Sequence, residues 1–359
     1  MNPGLRKAMF DVVRFWLDHG ASGFRLDATP YLIEDPSFPE DPNPPAAGAP
    51  AALKPYNSGR AENHEVLRQM RQILEGYPGE PVLLGESATA TIEDLAKVYG
   101  EHHDEIQLPM NFLIGDMTNC DAANFKKQTD AAQLKLGGQT PVFFFSSHDH
   151  SRQWSTFGDG VPAHNDQIAK LTATFTLAQR GTALMYYGEE LGMNTMPGRL
   201  LKDVPLGLKR PRADDRDGVR TPMQWDSGKN AGFTTGEPWL PVEPEHTRYN
   251  VEREKLDPNS IYSWYAKLLK LRHEDPVFRE GSYVPLESGN PNVFVFGRKV
   301  GGKVGLVVLN TSAKKETVAV TGLDWPLFRN VILASPGAAA PQGRRFSMAP
   351  FGVLIAEAE

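Results

Sequence analysis

Short, near-continuously apolar runs alternate with amphipathic stretches through the first half of the chain, and this alternation limits the fold more than any other feature. Residues 22–27, 81–86, 105–112, 141–147 and 182–187 read as strands. The spacing of apolar residues predicts helices over 65–75, 92–99, 125–136 and 166–180. Apolar strands separated by helices form parallel βαβ units in a sheet covered on both faces. Three acids stand at the ends of such runs. Asp27 closes Gly-Phe-Arg-Leu-Asp, Glu86 closes Val-Leu-Leu-Gly-Glu, and Asp149 closes Val-Phe-Phe-Phe-Ser-Ser-His-Asp. In a β/α barrel every strand tip opens on one face, and catalytic residues come from several strands.

The remainder of the chain has a different texture. Asn2-Pro3 supplies a cap and a first-turn proline to a helix in which Leu5, Met9, Val12 or Val13, and Trp16 recur, and Gly20 stops it. A domain that opens on a crossover helix is expected to lack what preceded it. Residues 34–63 form a loop rich in Pro and Asp, and 46–52 and 336–341 read as exposed low-complexity loop. The segment 198–258 interrupts the alternation, yet Trp225, Phe233, Trp239 and Tyr249 argue against disorder there. A helix over 260–274 follows, with Ile261, Tyr265, Leu268, Leu269 and Arg272 spaced along it. From Gly281 the period becomes two, and 293–298, 304–309, 316–320, 330–334 and 353–356 read as strands of a small antiparallel sheet or sandwich. The expected domains are 1–278 and 279–359.

The chain's 359 residues suffice for a large domain and a small one. A net charge of −6 without a basic stripe argues against a nucleic-acid partner. A neutral sugar would need no compensating charge. The single cysteine, Cys120, excludes an intramolecular disulfide framework and a cysteine-based zinc site, and reads as a small buried hydrophobe. No apolar run reaches the ~18 residues of a membrane span. There is no signal-peptide pattern, so no membrane partner and a cytoplasmic location are expected.

Two or three carboxylates converging at strand tips suit glycoside chemistry, in which one acid protonates a leaving oxygen and another attacks the sugar. Arg25 stands two residues before Asp27, so in a strand both side chains share a face. The guanidinium would keep the carboxylate ionised, as a nucleophile requires; a structural pair at a strand end accounts for it equally. Glu86 follows an apolar tetrad and a glycine that permits close approach. In apolar surroundings its pKa would rise toward that of a general acid; alternatively it caps the segment containing Ser87, Thr89 and Thr91. Asp149 is flanked by His148 and His150, which face opposite ways in a strand and so would not share a metal. Ser146, Ser147, His148 and Asp149 make a polar tip that is costly to bury without partners. Arg152 could orient Asp149 or substrate, or be an ordinary surface residue.

In combination these segments resemble the α-amylase superfamily, glycoside hydrolase family thirteen, in its α-glucosidase (maltase) branch. Gly23-Phe24-Arg25-Leu26-Asp27 resembles the second signature region, Leu84-Gly85-Glu86 the third and His148-Asp149 the fourth. Gly181-Thr-Ala-Leu-Met-Tyr-Tyr-Gly188-Glu189-Glu190 is similar to the eighth-strand signature. Arg216-Asp-Gly-Val-Arg-Thr-Pro-Met-Gln-Trp-Asp226 with Asn230-Ala-Gly-Phe233 is similar to the final loop of maltases and trehalose synthases.

The resemblance implies an α/β fold comprising strands four to eight of a TIM (β/α)8 barrel, followed by a small antiparallel β-sandwich. It implies a retaining α-glucosidase with Asp27 as nucleophile and Glu86 as acid and base. Asp149 would stabilise the transition state, with Arg25, His148 and Arg152 as substrate-binding residues. The implied partner is an α-glucoside or oligosaccharide, with no organic cofactor, and no residue of this chain is assigned to a metal. Ala28 points to α-1,4 linkages, because in related maltases a small residue there accompanies that preference. The stretch from Asp27 to Leu32 also resembles trehalose synthases, which makes a glucosyl isomerase one alternative. A non-catalytic remnant or scaffold is another.

Two departures stand out. Ser147 replaces the family's usual Asn, and altered local geometry is expected from that. The first signature region and the first three barrel strands have no counterpart. Five strands cannot close an eight-stranded barrel, so an N-terminally truncated chain with an exposed edge is expected. Its expected macromolecular partner is a complementing N-terminal barrel fragment.

Overall fold

The structure is a computed structural model and describes residues 2–40, 56–197, 215–321, 328, 330–338 and 345–358. The low-complexity stretch 46–52 and parts of the stretches 34–63, 198–258 and 336–341 lie outside these residues. The chain divides into two compact units, residues 1–116 with 128–143, and 117–127 with 144–359.

The first unit starts with the helix Pro3–Asp18, whose cap Asn2 accepts hydrogen bonds from the amides of Gly4 and Leu5 at 2.9 and 3.3 Å. Its buried residues are Val13 and Leu17, packed with Leu67, Leu74, Leu83 and Ile106. The stripe expected to face the core lies mostly outside it: Leu5, Met9, Val12 and Trp16 are 61, 55, 47 and 53% exposed. Positions 13 and 17 are stacked four apart on one face, and that face meets the core. Only Val13 of the expected set lies on it.

Strands β1 (Gly23–Leu26), β2 (Val82–Gly85) and β3 (Leu108–Pro109) form a parallel sheet in the order β1-β2-β3. Leu26 is paired with Gly85, and Gly85 with Pro109. The helices Ala61–Glu75 and Ile92–Val98 make the crossovers that parallel strands require. Gly85 has a packing role, since a Cβ there would lie 2.5 Å from Ile106 Cδ1 and 3.0 Å from Ser87 Oγ. The strand expected over 105–112 is shorter at both ends. Glu105 is a buried acid paired with Arg68 at 2.9 Å and His64 at 2.7 Å. After Pro109, Asn111 caps a short helix, Phe112–Gly115, by accepting from Leu113 N at 3.2 Å. The helix Ala122–Leu134 leads to β4 (Val142–Phe143).

In the second unit the helix Asn165–Leu177 precedes β5 (Thr182–Ala183). An amphipathic helix was expected here, but every residue from Ile168 to Leu177 is buried. Its threonines are hidden without loose hydroxyls. Thr172, Thr174 and Thr176 donate to the carbonyls of Ile168, Lys170 and Thr172 at 3.0, 2.7 and 3.1 Å. The helix Ile261–Glu274 packs on it, and Trp264 Nε1 donates to Thr174 Oγ1 at 3.0 Å. Phe125 lies against Phe175, with ring centroids 4.3 Å apart.

The C-terminal strands are β6 (Ser282–Pro285), β7 (Val293–Val300), β8 (Lys303–Asn310), β9 (Glu316–Ala319), β10 (Asn330–Ala334), β11 (Arg345–Met348) and β12 (Val353–Ala358). An antiparallel sheet runs β10-β12-β8-β7-β6, and β9 pairs with β11. Val293, Val295, Leu306, Val308 and Leu354 from the large sheet share a core with Val318, Phe346 and Met348 from the small one. The other face of β7 is buried as well, with Phe294 beside Phe125 and Phe175. Burial of both faces explains why β7 reads as continuously apolar. Strands β6 and β11 are additions to the expected set. The boundary expected at 278/279 falls within the helix Pro276–Glu280, and a Cβ on Gly305 of β8 would lie 2.8 Å from the Phe278 ring.

Candidate functional site

In the first unit, Asp27 and Glu86 each stand one residue past the C-terminal end of a strand. The parallel register sets Leu26 beside Gly85, so the acids leave the same end of adjacent strands. The Glu86 amide donates to Leu26 O at 2.9 Å and extends the ladder to the acid itself.

Arg25 joins the two acids. Its Nη1 pairs with Asp27 Oδ1, and its Nη2 lies 3.0 Å from Glu86 Oε2. Glu86 Oε2 also accepts from the backbone N–H of Ala28 at 2.9 Å. Ala28 has φ +45°, in the left-handed region that alanine seldom occupies. The following turn is fixed by Thr29, whose N–H and hydroxyl both donate to Glu86 O, at 3.0 and 2.8 Å. The surroundings expected for Glu86 were apolar; the structure gives it a guanidinium and an amide instead. The Asp27 side chain is 79% exposed and that of Glu86 22%. Arg25 holds both carboxylates, and that of Asp27 is the more open to solvent.

In the second unit, Asp149 sits in a cationic cradle. Arg216 Nη1 and Arg220 Nη2 each lie 3.0 Å from its Oδ1, and His148 Nε2 lies 3.2 Å from its Oδ2. Arg220 Nε donates to His148 O at 2.9 Å, so one side chain fixes both residues. The residue in the family's Asn position is used locally: Ser147 Oγ accepts from Asp149 N at 3.1 Å and bonds His150 Nδ1 at 2.8 Å. The two histidines thus have separate partners.

Arg152 is buried, with 1% of its surface exposed. Its guanidinium donates to the carbonyls of Tyr187 and Val219 and lies over the rings of Tyr186 and Tyr187, 5.0 and 4.6 Å from their centroids. It ties the residues after β5 to the 215–219 turn. Beside it, Glu189 is buried, and burial pushes its pKa up to about 8.

Arg216 and Arg220 were not singled out for the site by sequence reasoning. Arg216 lies within the 3-10 turn Asp215–Val219 and Arg220 just past it, and both reach Asp149 Oδ1. Among the described residues, no group of three His, Cys, Asp or Glu side chains is placed to hold a metal ion. No helix there is long and apolar enough to cross a membrane. Cys120 is free of a disulfide and partly buried.

Comparison with known proteins agrees with this architecture. A family model described as the catalytic domain of alpha amylase matches residues 1–281. An oligo-1,6-glucosidase of Parageobacillus thermoglucosidasius is 29% identical over 87% of this chain and 61% of its own length. A probable oligo-1,6-glucosidase of Bacillus subtilis is 30% identical over 90% of this chain and 62% of its own length. The chain thus spans about three fifths of these relatives. The crystal structure of a trehalulose synthase from Pseudomonas mesoacidophila superposes with a TM-score of 0.86 at 29% identity, over 100% of this chain and 69% of that one. The general fold is that of these proteins, barrel strands followed by a C-terminal sheet domain, and the chain belongs to the α-amylase family, glycoside hydrolase family thirteen.

Proposed function

We propose that the chain carries the machinery of a retaining α-glucosidase that releases terminal α-1,4-linked glucose from maltose and short oligosaccharides. The observation that carries this reading is the shared Arg25, which links the strand-tip acids Asp27 and Glu86. Asp27 attacks the anomeric carbon and forms a glucosyl ester while Glu86, as the acid, protonates the departing glycosidic oxygen. Glu86 then takes a proton from water as that water attacks the ester, and Asp27 leaves as the carboxylate. Asp149 holds sugar hydroxyls, with His148, Arg216 and Arg220 fixing its carboxylate. Arg152 acts as a positioning residue by tying Tyr187 to Val219. The small residue Ala28 supports the α-1,4 preference, although the oligo-1,6-glucosidase relatives make isomaltose the essential comparison.

The proposal includes barrel position and domains. Strands β1 to β5 correspond to strands four to eight within 1–278, and 279–359 forms the C-terminal β domain. The edge position of β1 and the exposed face of the helix Pro3–Asp18 support a complementing barrel segment on that side.

The test is hydrolysis of a chromogenic α-glucoside by the chain alone and with a complementing segment. Asp27→Asn and Glu86→Gln should each remove activity by at least ~10³-fold. Equal rates in Asp27→Asn and the parent would refute the reading, and faster isomaltose than maltose turnover would overturn the linkage preference. The trehalulose synthase neighbour favours a second reading, a glucosyl isomerase, which would yield an isomeric disaccharide from its substrate in place of free glucose.

A further inference from the structure

The turn that follows Asp27 is gripped by one buried amide. Asn63, 5% exposed, lies in the first turn of the helix Ala61–Glu75. Its Nδ2 donates to Thr29 O at 3.2 Å and to Pro30 O at 2.7 Å. The Gly59 amide donates to the same Pro30 carbonyl at 2.8 Å. Two carbonyl acceptors fix which end of the Asn63 amide faces the turn, because only the nitrogen carries protons. Asn63 Oδ1 is buried and accepts no hydrogen bond among the described residues, so the donors alone offset the burial of this side chain.

Asn63 stands on a fixed base. Leu67, one helical turn on, belongs to the core. On either side of Asn63 in sequence, Arg60 Nη1 lies 2.8 Å from Asp35 Oδ2, and His64 Nδ1 lies 2.7 Å from Oε2 of the buried Glu105. The turn itself needs such a hold. Ala28 is left-handed at φ +45°, and a residue in that region persists where its surroundings over-determine it. Glu86 O takes the N–H and the hydroxyl of Thr29, while Asn63 takes the Thr29 carbonyl. Thr29 is therefore tied to Glu86 by its donors and to the helix by its acceptor.

We propose that Asn63 is a positioning residue for Glu86. It holds the turn after Asp27 from the helix, and the turn presents the Ala28 amide to Glu86 Oε2 at 2.9 Å. Without Asn63 the turn relaxes away from the left-handed conformation, and Glu86 loses the amide that shares its carboxylate with Arg25. The catalytic consequence rests on the glucosidase reading; the hold on the turn does not.

Two substrates and one exchange measurement separate the outcomes. The leaving oxygen of maltose must be protonated, whereas the fluoride of α-glucosyl fluoride departs with little help from an acid. Asn63→Ala should lower kcat on maltose by about tenfold with little change in KM, and kcat on the fluoride by about twofold. Asn63→Asp keeps the shape but sets acceptors against acceptors, so it should lose more than Asn63→Ala. Hydrogen exchange in a peptide spanning the turn should quicken by about tenfold in Asn63→Ala. Equal losses on the two substrates, a milder effect of Asn63→Asp than of Asn63→Ala, or unchanged exchange would each overturn the proposal. If the parent cleaves neither substrate, or Glu86→Gln loses both equally, the glucosidase reading fails instead. Faster exchange in Asn63→Ala then still upholds the hold on the turn.

Discussion

Arg25 reaches Glu86 across the first two strands of the parallel sheet, Nη2 to Oε2 at 3.0 Å, while its other nitrogen holds Asp27. Two neighbouring carboxylates repel, and one planar guanidinium satisfies both. Arg25→Ala should lower kcat/KM on a chromogenic α-glucoside by ~10²-fold, the scale of a small misplacement of reacting groups. Arg25→Lys should recover only part of it, because an ammonium has no fork to reach both acids. Full activity in Arg25→Ala would show that the clamp is dispensable.

Arg216 and Arg220 converge on the same oxygen of Asp149, and only Arg220 also holds the His148 carbonyl. Arg220→Ala should therefore raise KM more than Arg216→Ala, on the order of tenfold against a few-fold. Because the two share a partner, the double variant should depart from additivity. Steady-state kinetics on the four proteins tests this; equal effects of the two single changes would contradict it.

Glu189 sets a pH dependence of stability. Burial raises its pKa from 4.5 to about 8, so between these values the folded chain binds a proton that the unfolded chain does not. The stability it contributes is complete below about pH 4.5 and is lost as pH rises through about 8. Glu189→Gln is a neutral near-isostere at this position. The melting temperature of the parent should fall more from pH 5 to pH 8 than that of the variant. Parallel curves would mean that Glu189 is ionised throughout.

Thr174 both donates to Lys170 O and accepts from the Trp264 indole at 3.0 Å, in a buried setting. Thr174→Val keeps the shape and leaves the indole N–H without that acceptor. A loss of about 1–3 kcal/mol in unfolding free energy is expected, the cost of a buried polar group left unmade. Thr174→Ser should lose less. Denaturant titration followed by tryptophan fluorescence measures both.

The five short strands and their crossover helices were legible from their apolar runs, although no residue of β1 or β5 is fully buried. The Arg25–Asp27 pair was legible too, since two-residue spacing in a strand fixes a common face. Other features depend on neighbours that a local pattern does not name. Which face of the helix Pro3–Asp18 turns inward is set by Leu67, Leu74 and Leu83, distant in sequence. The threonines of Asn165–Leu177 suggested a wet face, but they bond their own helix and are buried. The cradle of Asp149 comes from residues 67 and 71 positions away, on a turn without apolar periodicity. The burial of Arg152 had no signal in the sequence, because the carbonyl acceptors of Tyr187 and Val219 leave no mark there.

If the proposed linkage preference is read at Ala28, the left-handed backbone there limits how that preference could change. A β-branched residue at φ +45° is a steric outlier, so Ala28→Val would push the peptide toward another conformation. The amide that would move is the one now bonded to Glu86. Altering the contact surface after Asp27 would therefore disturb the acid on the neighbouring strand. A change at this position is coupled to Glu86 through the main chain, and keeping that acid in place would need a compensating change in the turn at Thr29.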